Sequence, residues 1–125
     1  EELLHAQKFF NFINERGGRV SLDAIEKPKA DWDSPLEAFK DAYEHETKVT
    51  DRINKLYDLA VKEKDHATAS FLNWFIDEQV EEEASADEIV NKLKRIGESG
   101  QGIFMLDREL GSRTLDTAEY AEESE

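Results

Sequence analysis

Apolar residues recur at helical spacing over most of the chain. Leu3, Ala6, Phe9, Phe10 and Ile13 mark a first helix over residues 1–16, and Gly17-Gly18 end it. No capping residue precedes that helix, so it reads as the continuation of a longer one, and residues before Glu1 are expected. Residues 17–34 are a long connection, with Val20, Leu22 and Ile25 spaced to lie on a surface and Pro28, Trp32 and Asp33 on an extended path. Such a connection can cross the length of a helix bundle and leave two helices parallel.

Ser34-Pro35 opens the next helix, with serine as N-cap, proline at N1 and Glu37 at N3. Its stripe is Leu36, Phe39, Tyr43, Thr50, Ile53, Tyr57 and Ala60, and it should end near Glu63 or Lys64. Asp65 reads as the cap of a third helix over residues 66–96, so a very short turn makes the two helices antiparallel neighbours. Phe71, Phe75, Ile89, Leu93 and Ile96 form the third stripe. The segment GESGQG breaks it, and a short last helix runs from Ile103 to about Leu110. The pattern predicts an all-α domain over residues 1–112 and a loose acidic tail over 113–125. As a four-helix bundle it is one long helix short.

Acidic side chains interrupt these stripes. Glu46 fills the inward slot between Tyr43 and Thr50. Glu78 and Glu82, flanked by Glu81, interrupt the third stripe, and Glu2 and His5 share a face with Phe9 and Phe12. Glu46 lies about as far before the turn at 64–65 as Glu82 lies after it, so an antiparallel pair brings them to one level. A buried carboxylate is costly, and several together repel one another. A multivalent cation between them removes the penalty. Glu-x-x-His with glutamates from facing helices is the ligand pattern of di-iron carboxylate bundles, and oxygen donors with one imidazole suit iron or manganese. Each signal alone has a plain reading: Glu-x-x-His occurs by chance, Glu46 could be a salt-bridged core residue, and Glu81-Glu82-Glu83 could be a solvated face. Their agreement across three helices favours the metal. His45 and His66 read as surface residues, and Trp74 as core packing that borders the site.

Composition narrows the partners. Charged residues make up 37% of the chain and the formal net charge is −14, which disfavours nucleic acid as a partner. There is no cysteine, which excludes disulfides, thiolate zinc sites and iron–sulfur clusters and suits a cytoplasmic protein. No apolar run is long enough to span a membrane.

The stretches EELLHAQKFFNFINERGGRV (1–20), SPLEAFKDAYEHETKVT (34–50), FLNWFIDEQVEEEASA (71–86) and IFMLDREL (103–110) resemble the non-haem ferritins of bacteria and archaea. The resemblance implies a ferritin-like four-helix bundle with a long crossover and a short fifth helix, here 103–110, at the fourfold axes of a 24-subunit shell. It also implies oxidation of Fe(II) by O2 at a dinuclear iron centre without haem, followed by storage of a ferric mineral. Glu2 would bridge the two irons, His5 would bind the first and Glu46 the second. Glu82 matches a further acidic position, Gln79 the glutamine beside the oxygen-binding face, and Glu1, Glu78 and Glu81 a third iron site. The family's first helix and the start of its second are absent from these residues. That helix normally adds another glutamate and a nearby tyrosine, so a polypeptide that truly lacked it would oxidise iron poorly. Among rivals, a bacterioferritin would carry a second Glu-x-x-His, but Ser85 follows Glu82 at the matching place. A rubrerythrin would bring cysteines, and a DNA-protecting starvation ferritin would lack the fifth helix. A metal-free interaction bundle would pair its acids with Lys or Arg, and few of these fall inside the stripes.

Overall fold

The computed structural model describes residues 2–113; Glu1 and most of the acidic tail lie outside the described residues. Four helices and no strand occur among the described residues: α1 (Glu2–Glu15), α2 (Pro35–Lys62), α3 (His66–Ile96) and α4 (Gly100–Gly111). The chain divides into two compact units. One comprises residues 1–29 and 106–125, and the other residues 30–105.

The second unit is built on α2 packed against α3. Ser34 takes an extended backbone and its Oγ accepts from the Glu37 amide at 3.2 Å, while Pro35 follows as the first helical residue. The end of the crossover is pinned to this helix, because the Trp32 indole N–H donates to Asp41 Oδ2 at 2.6 Å. Along α2, Leu36, Phe39, Tyr43, Glu46, Thr50 and Tyr57 are half-buried and Ile53 and Ala60 buried, so the inward line includes Glu46 as expected.

The turn to α3 joins the two helices without a spare residue. The Lys64 amide donates to the Val61 carbonyl at 3.1 Å and the Asp65 amide to the Ala60 carbonyl at 2.8 Å, the paired bonds of a Schellman motif. Lys64 sits at its left-handed position with φ 57°. Asp65 then caps α3: one carboxylate oxygen accepts from the Thr68 amide at 3.1 Å and the other from the Thr68 hydroxyl at 2.6 Å.

On α3 the buried residues are Leu72, Phe75, Gln79, Ile89, Val90 and Leu93. This line is rotated slightly from the expected stripe, because Leu72 and Val90 go in while Phe71 and Ile96 stay half-buried. Phe75 meets Trp74 and Phe71 edge-on, at ring-centroid distances of 4.9 and 5.2 Å. These contacts support the reading of Trp74 as packing, and His45 and His66 are exposed as expected.

α4 starts earlier than expected. Ser99 acts as its cap: its carbonyl accepts from the Ile103 amide at 3.0 Å and its Oγ from the Gly102 amide at 3.3 Å. The cap outweighs the low helix propensity of Gly100 and Gly102. Gly102 also allows close packing, since a Cβ there would lie 2.5 Å from Ile96 Cγ2.

In the first unit, α1 buries a different face from the one its apolar residues suggested. His5 is buried and Leu4, Lys8, Phe9 and Phe12 are half-buried, whereas Leu3, Phe10 and Ile13 are exposed. The inward line is thus the His5–Phe9–Phe12 face, and nothing among the described residues covers the other. The crossover carries no regular structure. Its Leu22 and Ile25 do not lie down on a surface of this chain; they are 82% and 94% exposed.

Candidate metal centre

The packing of α2 on α3 creates a polar cluster inside an otherwise apolar seam. Gln79 is only 5% exposed. Its Nε2 donates to the Glu46 carboxylate at 3.2 Å, to the Glu46 main-chain carbonyl at 3.2 Å and to Thr50 Oγ1 at 3.1 Å. Glu46 and Thr50 are one turn apart on the same face of α2, so the amide of α3 is seated between them. A carboxylate and a carbonyl only accept, so the amide must turn its nitrogen toward α2. This contact puts Glu46 at the level of the Gln79–Glu82 turn of α3, close to the register expected from the lengths of the two helices.

Glu82 stands one turn beyond Gln79 and is half-buried, as is Glu78, while Glu81 is exposed. In the other unit, Glu2 and His5 lie side by side on α1. His5 Nδ1 is 3.6 Å from Glu2 Oε2, a separation too long for a good hydrogen bond. His5 is 8% exposed, a histidine held in the interior and not on a solvated face. The structure therefore brings Glu46 together with Gln79, and Glu2 together with His5. Among the described residues, no three His, Cys, Asp or Glu side chains converge into one metal-holding group. Glu1, expected at a third site, lies outside the described residues.

Thr50 escaped the sequence reading as a functional residue, since it passes there as one more member of the α2 stripe. The available signal was its hydroxyl, placed one turn from an inward glutamate. The side chains brought together within each unit offer carboxylate and carboxamide oxygen in one and carboxylate and imidazole in the other, with no sulfur, donor chemistry that suits iron better than copper or structural zinc.

Four helices, with a buried imidazole on α1 and a carboxylate and a carboxamide paired in the α2–α3 seam, define an all-α protein of the helix-bundle class; Glu2 beside His5 is exposed. Comparison with known proteins makes the class specific. Residues 1–96 match the ferritin-like domain of the ferritin family, and the chain belongs to that family. It is 47% identical over 116 residues to a bacterial non-heme ferritin of Staphylococcus aureus (strain MRSA252), covering 93% of this chain and 70% of that protein. A Staphylococcus saprophyticus bacterial non-heme ferritin is 44% identical over 119 residues, covering 95% of this chain and 71% of that protein. Among solved structures, an open pore ferritin from the hyperthermophilic archaeon Archaeoglobus fulgidus is 56% identical with a TM-score of 0.89, covering 90% of this chain and 69% of that one. A humanized archaeal ferritin is 54% identical with a TM-score of 0.90, covering 91% and 69%. The fold is the ferritin four-helix bundle fold. Among the described residues, no helix is long and apolar enough to cross a membrane.

Proposed function

We infer that the chain is a subunit of a cytoplasmic iron-storage ferritin. In this reading it oxidises Fe(II) with O2 at a dinuclear carboxylate centre and stores the Fe(III) product within a 24-subunit shell. The observation that carries this reading is the Glu46–Gln79 pair, a carboxylate and a carboxamide held in the α2–α3 seam where apolar side chains would pack better. The non-heme ferritins to which the chain is similar support it.

Iron is substrate and cargo here. Glu2 would bridge two Fe(II) ions, with His5 on the first, Glu46 on the second and Glu82 as a further carboxylate. Carboxylates are hard donors that favour Fe(III) over Fe(II), which drives the oxidation. Each of the two irons gives up one electron, so one O2 takes two electrons and becomes hydrogen peroxide, with protons supplied by water. Glu78 and Glu81, together with Glu1, would form the third site on the route to the mineral. Gln79 offers a neutral oxygen beside the face where O2 reacts.

The test is O2 consumption after Fe(II) is added to the full-length protein, its Glu46→Ala and its His5→Ala variants. Loss of a ligand should slow the initial rate by at least about 10-fold. Wild-type protein that consumes O2 no faster than Fe(II) in buffer would sink the ferroxidase reading. Sedimentation velocity checks the shell, and a species of one or two subunits would contradict it.

A further inference from the structure

We propose that Thr50 is a positioning residue for the metal centre, holding the Gln79 amide so that its carbonyl oxygen stays turned toward the ligand and its nitrogen clamps Glu46. The proposal rests on the metal-centre reading above. The amide nitrogen of Gln79 has two hydrogens and meets three acceptors, of which Thr50 Oγ1 at 3.1 Å is the nearest. The other two both belong to Glu46, one on its backbone and one on its side chain. The carboxylate oxygen is therefore only one of several places the amide can donate. A carboxylate that binds a metal gives up part of its capacity to accept, and the amide then needs another acceptor. Thr50 supplies it.

The hydroxyl suits this task. Thr50 has two main first side-chain torsions on a helix, and in the one adopted here its oxygen faces the Gln79 amide. Glu46 and Thr50 are four residues apart, so both lie on the face of α2 that meets α3, one turn apart with Gln79 between them. Gln79 Oε1 accepts no hydrogen bond from any described residue, which leaves it as an oxygen directed away from α2. Turning the amide over would set its oxygen against the carboxylate and carbonyl oxygens of Glu46, and Thr50 gives the nitrogen a further acceptor on α2 when the carboxylate is engaged elsewhere.

A purely structural role makes a different forecast. In Thr50→Val the amide still has two acceptors for two hydrogens, and valine keeps the branched shape. Stability should then hardly change, and metal binding should be untouched. The positioning role forecasts that metal binding weakens while stability holds. The experiment compares wild type, Thr50→Val and Thr50→Ser in the full-length protein. Each is titrated with Co(II), which takes the same oxygen and imidazole donors and is not oxidised by air, and each protein is crystallised with Co(II). Thr50→Val should weaken Co(II) binding about 10-fold, in line with loss of a group that orients a ligand, and Thr50→Ser should restore it. The melting temperatures of the metal-free proteins should agree, and in the Thr50→Val crystal grown with Co(II) the Gln79 amide should have left its wild-type position. Unchanged Co(II) affinity with an unmoved amide in Thr50→Val would overturn the proposal. If wild type itself binds no Co(II), the metal-centre reading fails, and the proposal falls with it.

Discussion

The turn between α2 and α3 decides which residue of α3 faces Glu46, and it can be probed by two neighbouring substitutions of opposite effect. Lys64 occupies the left-handed position with φ 57°. An L-residue loses about 1–2 kcal/mol there relative to a right-handed conformation, whereas glycine has no Cβ to clash. Glycine's greater freedom in the unfolded chain returns about 0.5–1 kcal/mol of that gain. Lys64→Gly should therefore stabilise the protein by a net of about 0.5–1 kcal/mol. Asp65 is the next residue, and both of its carboxylate oxygens are engaged by Thr68. Asp65→Ala should cost about 1–2 kcal/mol, the upper part of the range for a helix N-cap. The assay is denaturant unfolding at one fixed protein concentration, because the stability of an assembly depends on concentration. Lys64→Gly should raise the midpoint and Asp65→Ala should lower it, with no change in slope for either. A Lys64→Gly protein that unfolds more easily than wild type would show that Lys64 is not strained and that the turn is not held as described.

Other substitutions test the packing. Gly102→Ala sets a Cβ 2.5 Å from Ile96 Cγ2 and within 3.3 Å of its Cβ, atoms of a branched side chain that has little room to retreat. A loss of about 1–3 kcal/mol is expected by thermal unfolding, and a neutral result would mean that the start of α4 shifts freely. Phe75→Ala removes a ring that is 3% exposed and has two edge-on aromatic neighbours, so it should cost about 3–5 kcal/mol. Glu88 is held below the ordinary carboxylate pKa by its hydrogen bond with Lys92, then by the Lys92 charge and more weakly by Arg95. Its folded pKa is depressed, so its contribution to stability is present above the ordinary carboxylate value and is lost as pH falls through the folded one. In Lys92→Met the Glu88 titration, followed by NMR, should move up toward the ordinary value.

Much of the fold was legible because helices are local objects. Ser34-Pro35 and Asp65 announce helix starts through side chains that satisfy amides within a few residues, and both caps stand where the sequence places them. The 3.6-residue period puts Leu36, Phe39, Tyr43, Ile53 and Ala60 on one line, and the interruption of that line by Glu46 follows from spacing alone. The pairing of Glu2 with His5 follows from their spacing on a helix in the same way.

What the tertiary structure alone decided concerns contacts between elements. Periodicity ranks faces by hydrophobicity, but which face is buried depends on what covers it. Hence α1 buries His5 and half-buries Phe12 while Phe10 and Ile13 stay exposed, and Leu22 and Ile25 stand clear of the chain. The rotation of α3 that sends Leu72 and Val90 inward also turns Gln79 toward α2. The partnership of Gln79 with Glu46 and Thr50 spans some thirty residues of sequence. No local rule encodes it, because it exists only once two long helices have packed in one register.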